Sequence, residues 1–275
     1  MSDLYAVVGN PIAQSKSPII HSMFAEACGH QITYERVESP LGKFAETVDA
    51  FRARGGAGIN ITAPFKLDAV AYASEKSAAA RTAGAANAIK FDGANSIAEN
   101  FDGVGLVRDI VANLRTPLRA KRVLVLGAGG ATRGALSPIL GEQPSEVWIA
   151  NRDIAKARAL VADVVGATNA NVHACGYDAL SDGAFDVILN ATSSSLTKAL
   201  PPIAGGLFSG CTLAYDLTYG KGLTPFLRLA KESGAEQWVD GVGMLVEQAA
   251  EAFNWWRGVR PATAQVVKHL TVPLE

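Results

Sequence analysis

Gly127-Ala128-Gly129-Gly130-Ala131-Thr132-Arg133-Gly134 follows the apolar run Arg122–Leu126 and opens an Ala- and Leu-rich segment that ends near Leu140. A buried strand, a glycine turn and a helix N-terminus are what a dinucleotide pyrophosphate requires. Gly127 permits the tight turn, and Gly129 lets the backbone approach the phosphates. The N–H groups of the first helical turn, around Gly130 and Ala131, have no intrahelical partners and face the anion. Thr132 stands where the G-x-G-x-x-G/A pattern has its third small residue. Glycine turns between strand and helix also occur without a ligand, so the surrounding chain has to decide the reading.

Outward from this turn, short apolar strands alternate with amphipathic helices almost from end to end, without internal repeats. Downstream, strands are expected at Glu146–Ala150, Ala184–Asn190, Thr212–Asp216 and Gln237–Val239, with helices at Ile154–Val165 and Pro225–Ser233. That is the rhythm of a doubly wound dinucleotide fold. Upstream, strands are expected at Tyr5–Val8, Ile32–Val37 and Ala57–Ile61. Helices are expected at Ser17–Cys28, with Ile20, Phe24 and Ala27 on one face, at Phe44–Phe51 and from Pro64. Ala85–Phe91 and Asn95–Ala98, around Asp92-Gly93, read as a hairpin appended to a mainly parallel sheet. A helix over Val104–Leu114 leads to the glycine turn. A long helix follows Asp240-Gly241-Val242-Gly243 until Pro261 breaks it, and a shorter one finishes the chain.

The expected fold is therefore α/β with two domains. Residues 1–103 plus 240–275 form an α/β substrate domain to which the C-terminal helices return, and 104–239 form a Rossmann-type domain. A cleft between two such domains is where substrate and cofactor would meet.

The totals narrow the function classes. The 275 residues are 49% hydrophobic and 19% charged, and 25 Lys+Arg against 26 Asp+Glu leave a net charge of -1. With no basic block, nucleic acid and anionic membrane are poor partner expectations. No apolar run approaches the ~20 residues of a spanning helix. Met1–Tyr5 lacks the basic start of a signal peptide, so a cytoplasmic location is expected. Cys28, Cys175 and Cys211 are widely spaced in apolar surroundings and read as reduced core thiols rather than disulfides or metal ligands.

Several stretches carry chemistry. In Gly9–Pro18, GNPIAQSKSP, Ser17 sits at an N-cap position with Pro18 at the first helical position. Ser15 and Ser17 thus place two hydroxyls where a carboxylate fits, although plain capping explains Ser17 equally well. In Asn60–Lys66, NITAPFK, Thr62 is a cap candidate and Lys66 falls in the first turn of a helix. The positive end of the helix dipole disfavours the charged amine there. Asp102, in AENFDGVG, would pull the other way and hold the amine in position, which is how a lysine passes a proton near neutral pH. Without such neighbours an exposed lysine is a plain solvated charge. Asn87 in the hairpin segment, Tyr219 in YDLTYGKGLTPF and Gln248 in DGVGMLVEQAA complete a set of neutral hydrogen-bonding groups. Such a set suits a small polyhydroxylated acid.

For the cofactor, the decisive position is the end of Glu146–Ala150. An acid there takes the ribose 2′-hydroxyl of NAD, whereas Asn151-Arg152 suits a 2′-phosphate, and Lys156 adds charge one turn on. Asp153 reads as a cap for the helix from Ile154, with a bias toward NAD as the alternative. Thr192 and Ser193, after the strand ending at Asn190, either border the nicotinamide or form a plain turn.

In this order, and over nearly the whole chain, these motifs resemble the shikimate dehydrogenase family. The resemblance implies NADPH-dependent reduction of 3-dehydroshikimate to shikimate, in the cytoplasmic route to chorismate and aromatic amino acids, without a metal. It implies that Ser15, Ser17 and Tyr219 hold the substrate carboxylate. Thr62, Asn87 and Gln248 would hold ring oxygens alongside Lys66 and Asp102, the catalytic pair. It places the glycine turn (Gly127, Ala128, Gly129, Gly130 and Ala131), Asn151, Arg152, Asp153, Lys156, Thr192, Ser193 and Gly241 around NADP. Three positions depart from the family pattern: Gln14 replaces His, and Ala88 and Phe101 each replace Thr. The competing readings are a quinate/shikimate dehydrogenase that uses NAD, a low-activity paralogue, and a non-catalytic nucleotide- and metabolite-binding sensor. A Rossmann oxidoreductase with a folate or aminoacyl substrate would leave Ser15, Ser17 and Asn60–Lys66 without a role. Lys66 and Asp102 together argue against a sensor, which has no need of a tuned proton donor. Either a monomer or a homodimer is compatible with this reading.

Overall fold

In the computed structural model, residues 3–165, 170–182, 185–194 and 199–274 are described. The chain divides into two compact units, Met1–Gly105 with Val246–Lys268, and Leu106–Leu245 with His269–Glu275.

The second unit is built on a six-stranded, wholly parallel sheet: β7 (Arg122–Leu126), β8 (Glu146–Ala150), β9 (Val172–Cys175), β10 (Val187–Asn190), β11 (Leu213–Asp216) and β12 (Gln237–Asp240). Their order across the sheet, β12-β11-β10-β7-β8-β9, is the doubly wound arrangement, with its switch point between β7 and β10. Alternate residues of the strands enter two separate cores. Val123, Val125, Val187 and Leu189 pack with Ala135, Leu136 and Ile139 of α6 (Gly130–Gly141) and Leu160 of α7 (Ile154–Val165). Leu124, Leu126 and Ile188 pack with Phe226 and Leu227 of α8 (Pro225–Glu232). Burial on both faces explains why these strands read as continuous apolar runs. β9 was not expected from the sequence: its four residues, Val-His-Ala-Cys, carry too little apolar alternation to announce a strand.

The first unit has a mixed sheet ordered β2-β1-β3-β5-β6-β4. β1 (Asp3–Gly9) pairs in parallel with β2 (Ile32–Glu38) and β3 (Gly56–Ile61). The hairpin β5 (Ala88–Asp92) and β6 (Asn95–Glu99) joins antiparallel to β3. β4 (Glu75–Lys76) and helix α4 (Ala78–Ala83) are too short to show in the sequence pattern. One sheet face packs on Phe44, Val48 and Phe51 of α2 (Phe44–Ala53) and Ala69 of α3 (Lys66–Tyr72). Aromatic pairs link α1 (Ser17–Cys28) and β1 with α9 (Val242–Arg257): Phe24 lies edge-on to Phe253 at 5.9 Å, and Tyr5 stacks on Trp256 at 4.8 Å. A short α10 (Ala264–Leu270) follows, and α5 (Asp102–Arg108) precedes a π-helical turn at Asp109–Asn113.

Three local expectations are corrected. α1 begins at Ser17 itself, with Lys16 in the cap position and no side-chain cap bond, so the Ser17 hydroxyl is not the cap. Pro64 lies in a turn closed by Phe65 N donating to the Thr62 carbonyl, and the helix starts at Lys66, so Thr62 does not cap it. Ala27 is exposed rather than on the buried face of α1.

Of the cysteines, Cys175 and Cys211 are buried and Cys28 is half-buried, all as free thiols. Burial pushes the Cys211 thiol up to about 12, which makes it inert near neutral pH. No helix among the described residues is long and apolar enough to cross a membrane.

His21 is fully buried in the first unit and stacks on Tyr34 with 4.4 Å between ring centroids. Its two ring nitrogens have no hydrogen-bond partner among the described residues. Burial pushes its pKa down to about 3. An unfolded histidine titrates near ~6.5, so between those values the unfolded chain holds the extra proton. Stability is therefore fully present above the unfolded value and falls with acidification, by up to about 1.4 kcal/mol per pH unit from this residue. Denaturant unfolding of His21→Phe should show a shallower loss of stability between about pH 6 and about pH 4 than the native chain. Parallel curves would count against this assignment.

Candidate active site

In the first unit the C-terminal ends of β1 and β3, the start of β5 and the N-terminus of α5 carry the polar residues singled out by the sequence. Lys66 is the first residue of α3, and its Nζ donates to Asp102 Oδ2 at 2.5 Å. Asp102 is the first residue of α5, and its other oxygen accepts from Asn87 Nδ2 at 2.8 Å. Asn87 is buried, immediately before β5. The same Nδ2 reaches Gln248 Oε1 at 3.0 Å, while Oδ1 accepts from the backbone N of Phe101 at 2.9 Å. Every hydrogen-bonding atom of this amide is committed, so it sets the orientation of both Asp102 and Gln248. The Lys66 and Asp102 side chains remain 36% and 16% exposed, which leaves them reachable by a small molecule.

Ser15 and Ser17 come together beside β2. Ser15 Oγ donates to Ser17 Oγ at 3.3 Å and accepts from Ser17 N at 3.3 Å. The Ser15 carbonyl accepts two bonds from Arg36, from Nη2 at 2.7 Å and Nε at 3.1 Å. A buried relay lies nearby: Tyr34 donates to Asn60 Oδ1 at 2.6 Å, and Asn60 Nδ2 donates to the Asn87 carbonyl at 3.2 Å. Arg36 and Tyr34 did not stand out in the sequence, because nothing in β2 alone shows what it touches. Asn60 had a legible signal, as the first residue of NITAPFK.

In the second unit the glycine turn sits at the switch point. Gly127 has φ 102°, and a Cβ there would come within 3.2 Å of the Ala191 carbonyl. Ala128 N donates to Asn151 Oδ1 at 3.3 Å, which ties the turn to the end of β8. Thr132 fits although larger than the pattern asks, because it is buried and its hydroxyl returns to the Gly127 carbonyl at 2.7 Å. Gly129 caps α6 with no side-chain cap bond, and the space around the missing Cβ atoms of Gly129 and Gly130 is open for 4 Å. An open, side-chain-free approach to a helix N-terminus, with Ala131 in its first turn, fits a pyrophosphate.

A cavity of about 510 Å³ adjoins, lined by Asn151, Arg152, Asp153, Lys156, Thr192 and Ser193 among others. Asp153 Oδ1 accepts from Ala155 N at 3.1 Å, so this carboxylate caps α7. Thr192 donates to the buried Asn190 Oδ1 at 2.7 Å. Tyr177 and the Ala199–Pro202 segment also line the cavity and were not foreseen, since they come from loops far along the chain. Burial raises the Tyr177 pKa, and the charge of Arg152, which lines the same cavity, opposes that shift. Gly241 lies directly after β12, where a Cβ would clash with the Leu217 carbonyl. Its contact is with the chain's own backbone. Tyr219 belongs to this unit and is 40% exposed. Among the described residues no group of three or more His, Cys, Asp or Glu side chains is arranged to hold a metal ion.

Family models match three parts of the chain: the shikimate dehydrogenase substrate binding domain over residues 7–89, shikimate / quinate 5-dehydrogenase over 109–198, and the shikimate 5'-dehydrogenase C-terminal domain over 241–271. The NADP(+) shikimate dehydrogenase of Chromobacterium violaceum is 51% identical over 270 residues, covering 98% of each chain.

The chain belongs to the shikimate dehydrogenase family.

Two solved structures bracket it within that family's fold. The Ael1 enzyme from Pseudomonas putida is 55% identical, with a TM-score of 0.96 over 100% of both chains. The shikimate 5-dehydrogenase of Thermus thermophilus, solved in complex with NADP(H) and shikimate, is 28% identical, with a TM-score of 0.84 over 98% of this chain and 100% of that one. The three departures from the shikimate dehydrogenase pattern have distinct settings. Gln14 is exposed, with Nε2 3.4 Å from the Pro11 carbonyl, and Ala88 is fully buried at the start of β5. Phe101 is half-buried, its ring edge-on to Trp255 at 5.7 Å. The backbone N of Phe101 still serves Asn87, so the bond that orients the amide does not depend on this side chain.

Proposed function

We propose that this protein catalyses the reversible, NADPH-dependent reduction of 3-dehydroshikimate to shikimate, on the route to chorismate and the aromatic amino acids. One observation carries the reading: the amine of Lys66 held on Asp102 by a carboxylate that Asn87 fixes from its other side. Bound NADPH supplies the hydride. As negative charge grows on the substrate's carbonyl oxygen, the Lys66 ammonium stabilises it and transfers a proton from Nζ. Asp102 keeps Nζ in place before transfer and accepts a hydrogen bond from an adjacent substrate hydroxyl. Ser15, Ser17 and Tyr219 donate to the substrate carboxylate, and Thr62 and Gln248 pair with ring oxygens. Asn87, whose two amide hydrogens are spent on Asp102 and Gln248, offers the second lone pair of Oδ1 to a ring hydroxyl. The ammonium does the electrophilic work.

On the cofactor side, Arg152 and Lys156 are the cations for a 2′-phosphate, and Asp153 is occupied by its helix. NADP(+) is also the cofactor in the name of the Chromobacterium violaceum relative. Steady-state assays of shikimate and quinate, each with NADP and NAD, test the assignment. The shikimate–NADP pair should give the highest kcat/KM. A higher value for quinate with NAD would replace this reading with the quinate-accepting one.

A further inference from the structure

Three side chains on one face of β2, at positions i, i+2 and i+4, reach parts of the proposed substrate site. Tyr34 donates to Asn60, Arg36 grips the Ser15 carbonyl with two donors, and Glu38 Oε2 accepts from Ile12 N at 3.4 Å. Just beyond the strand, the Ser39 carbonyl accepts from Asn10 Nδ2 at 2.8 Å. The loop after β1 is thus tied at Asn10, Ile12 and Ser15 to a single neighbouring strand, paired in parallel with Gly9 opposite Glu38. The Arg36 tie stands apart from the other two: it is the charged one closest to the hydroxyls, and it acts on the residue whose Oγ also receives Ser17 N. Fixing the Ser15 carbonyl fixes the peptide that orients both hydroxyls. It also puts a permanent positive charge beside them, next to the exposed Lys16, while the Glu38 carboxylate is engaged further back at Ile12.

We infer that Arg36 is a positioning residue for carboxylate recognition, holding the Ser15–Ser17 hydroxyl pair in donor geometry for the acid group of the substrate. The inference rests on the reading of Ser15 and Ser17 as carboxylate ligands. Arg36 touches neither Lys66 nor Asp102 in the hydrogen bonds it makes, so its loss falls on ground-state binding rather than on proton transfer.

Kinetics of Arg36→Ala and Arg36→Lys with shikimate and NADP test this. For Arg36→Ala the KM for shikimate should rise about tenfold while kcat stays within about twofold, the scale of one charge-assisted hydrogen-bond site that remains partly solvated. The KM for NADP should not move. Arg36→Lys, which keeps the charge and one donor, should recover part of the loss, and it carries the test if the alanine variant does not fold. A drop in kcat at unchanged KM, or equal losses in the lysine and alanine variants, would overturn the inference while leaving the proposed reaction standing. A native protein inactive on shikimate would remove both.

Discussion

Lys66→Ala should lower kcat for shikimate oxidation by at least ~100-fold while NADP affinity stays close to native, the range expected when a positioned acid–base group is deleted. The size of the effect follows from the site's construction. Lys66 is the only cation that hydrogen-bonds Asp102 among the described contacts, and the neighbouring Asn87 and Gln248 are neutral amides. They can hold an oxygen but cannot supply a proton to an alkoxide. Removing the amine also leaves the Asp102 carboxylate without its partner, adding negative charge where the reaction develops more of it. Arg152 and Lys156, proposed above to bind the cofactor, belong to the other unit, so cofactor affinity should be untouched. Cofactor titration alongside turnover checks the split. Near-native turnover of Lys66→Ala would remove the lysine from the mechanism.

Arg260→Ala should destabilise the protein by about 3 kcal/mol, the lower end for breaking a buried ion pair from one side. The Glu247 side chain is 1% exposed, accepts from Arg260 Nη2 and takes a second bond from Thr263 Oγ1 at 2.6 Å. Arg260 Nε also donates to Glu251 at 2.8 Å. Burial disfavours the arginine's charge, yet these two carboxylates outweigh it and hold its pKa above the ordinary value. Truncation would leave Glu247 buried near a second acid with its cation gone. The melting temperature should fall by roughly 6–12 °C, taking the 2–4 °C per kcal/mol of a chain this size. Replacing the pair together, as Glu247→Leu with Arg260→Met, should recover part of the loss, because the fully buried position no longer carries a charge, while Glu251, 16% exposed, still loses its cation. An unchanged melting temperature for Arg260→Ala would show that the network contributes little. The network matters for function through its neighbour in sequence: Gln248, on the next position of α9, is the residue that meets Asn87.

Much of this architecture was legible because the physics is local. The glycine turn between Leu126 and Gly130, the doubly wound alternation around it and the Asp92-Gly93 hairpin are each written in consecutive residues. So were Lys66, Asp102, Asn87 and Gln248 as members of separate motifs. What the sequence hid is set by tertiary contact. Ser17 follows the usual statistics of a helix cap, yet its helix starts one residue earlier than a cap would allow, and its hydroxyl meets Ser15 instead. Thr62 and Pro64 look like a cap and a first helical residue, but the chain makes one more turn before Lys66. Arg36 and Tyr34 read as ordinary alternating strand residues. Tyr177 shares a cavity with Arg152 only because β8 and β9 are neighbours in the sheet.

The most direct test of hydride transfer assisted by Lys66 is a single-turnover reaction of 3-dehydroshikimate with NADPH deuterated at the transferring position, read by mass spectrometry of the product. The expected result is shikimate carrying one deuterium per NADPH consumed, formed by the native protein and lost in Lys66→Ala at saturating cofactor. Cofactor that binds but leaves 3-dehydroshikimate unlabelled and unreduced in the native protein would contradict it.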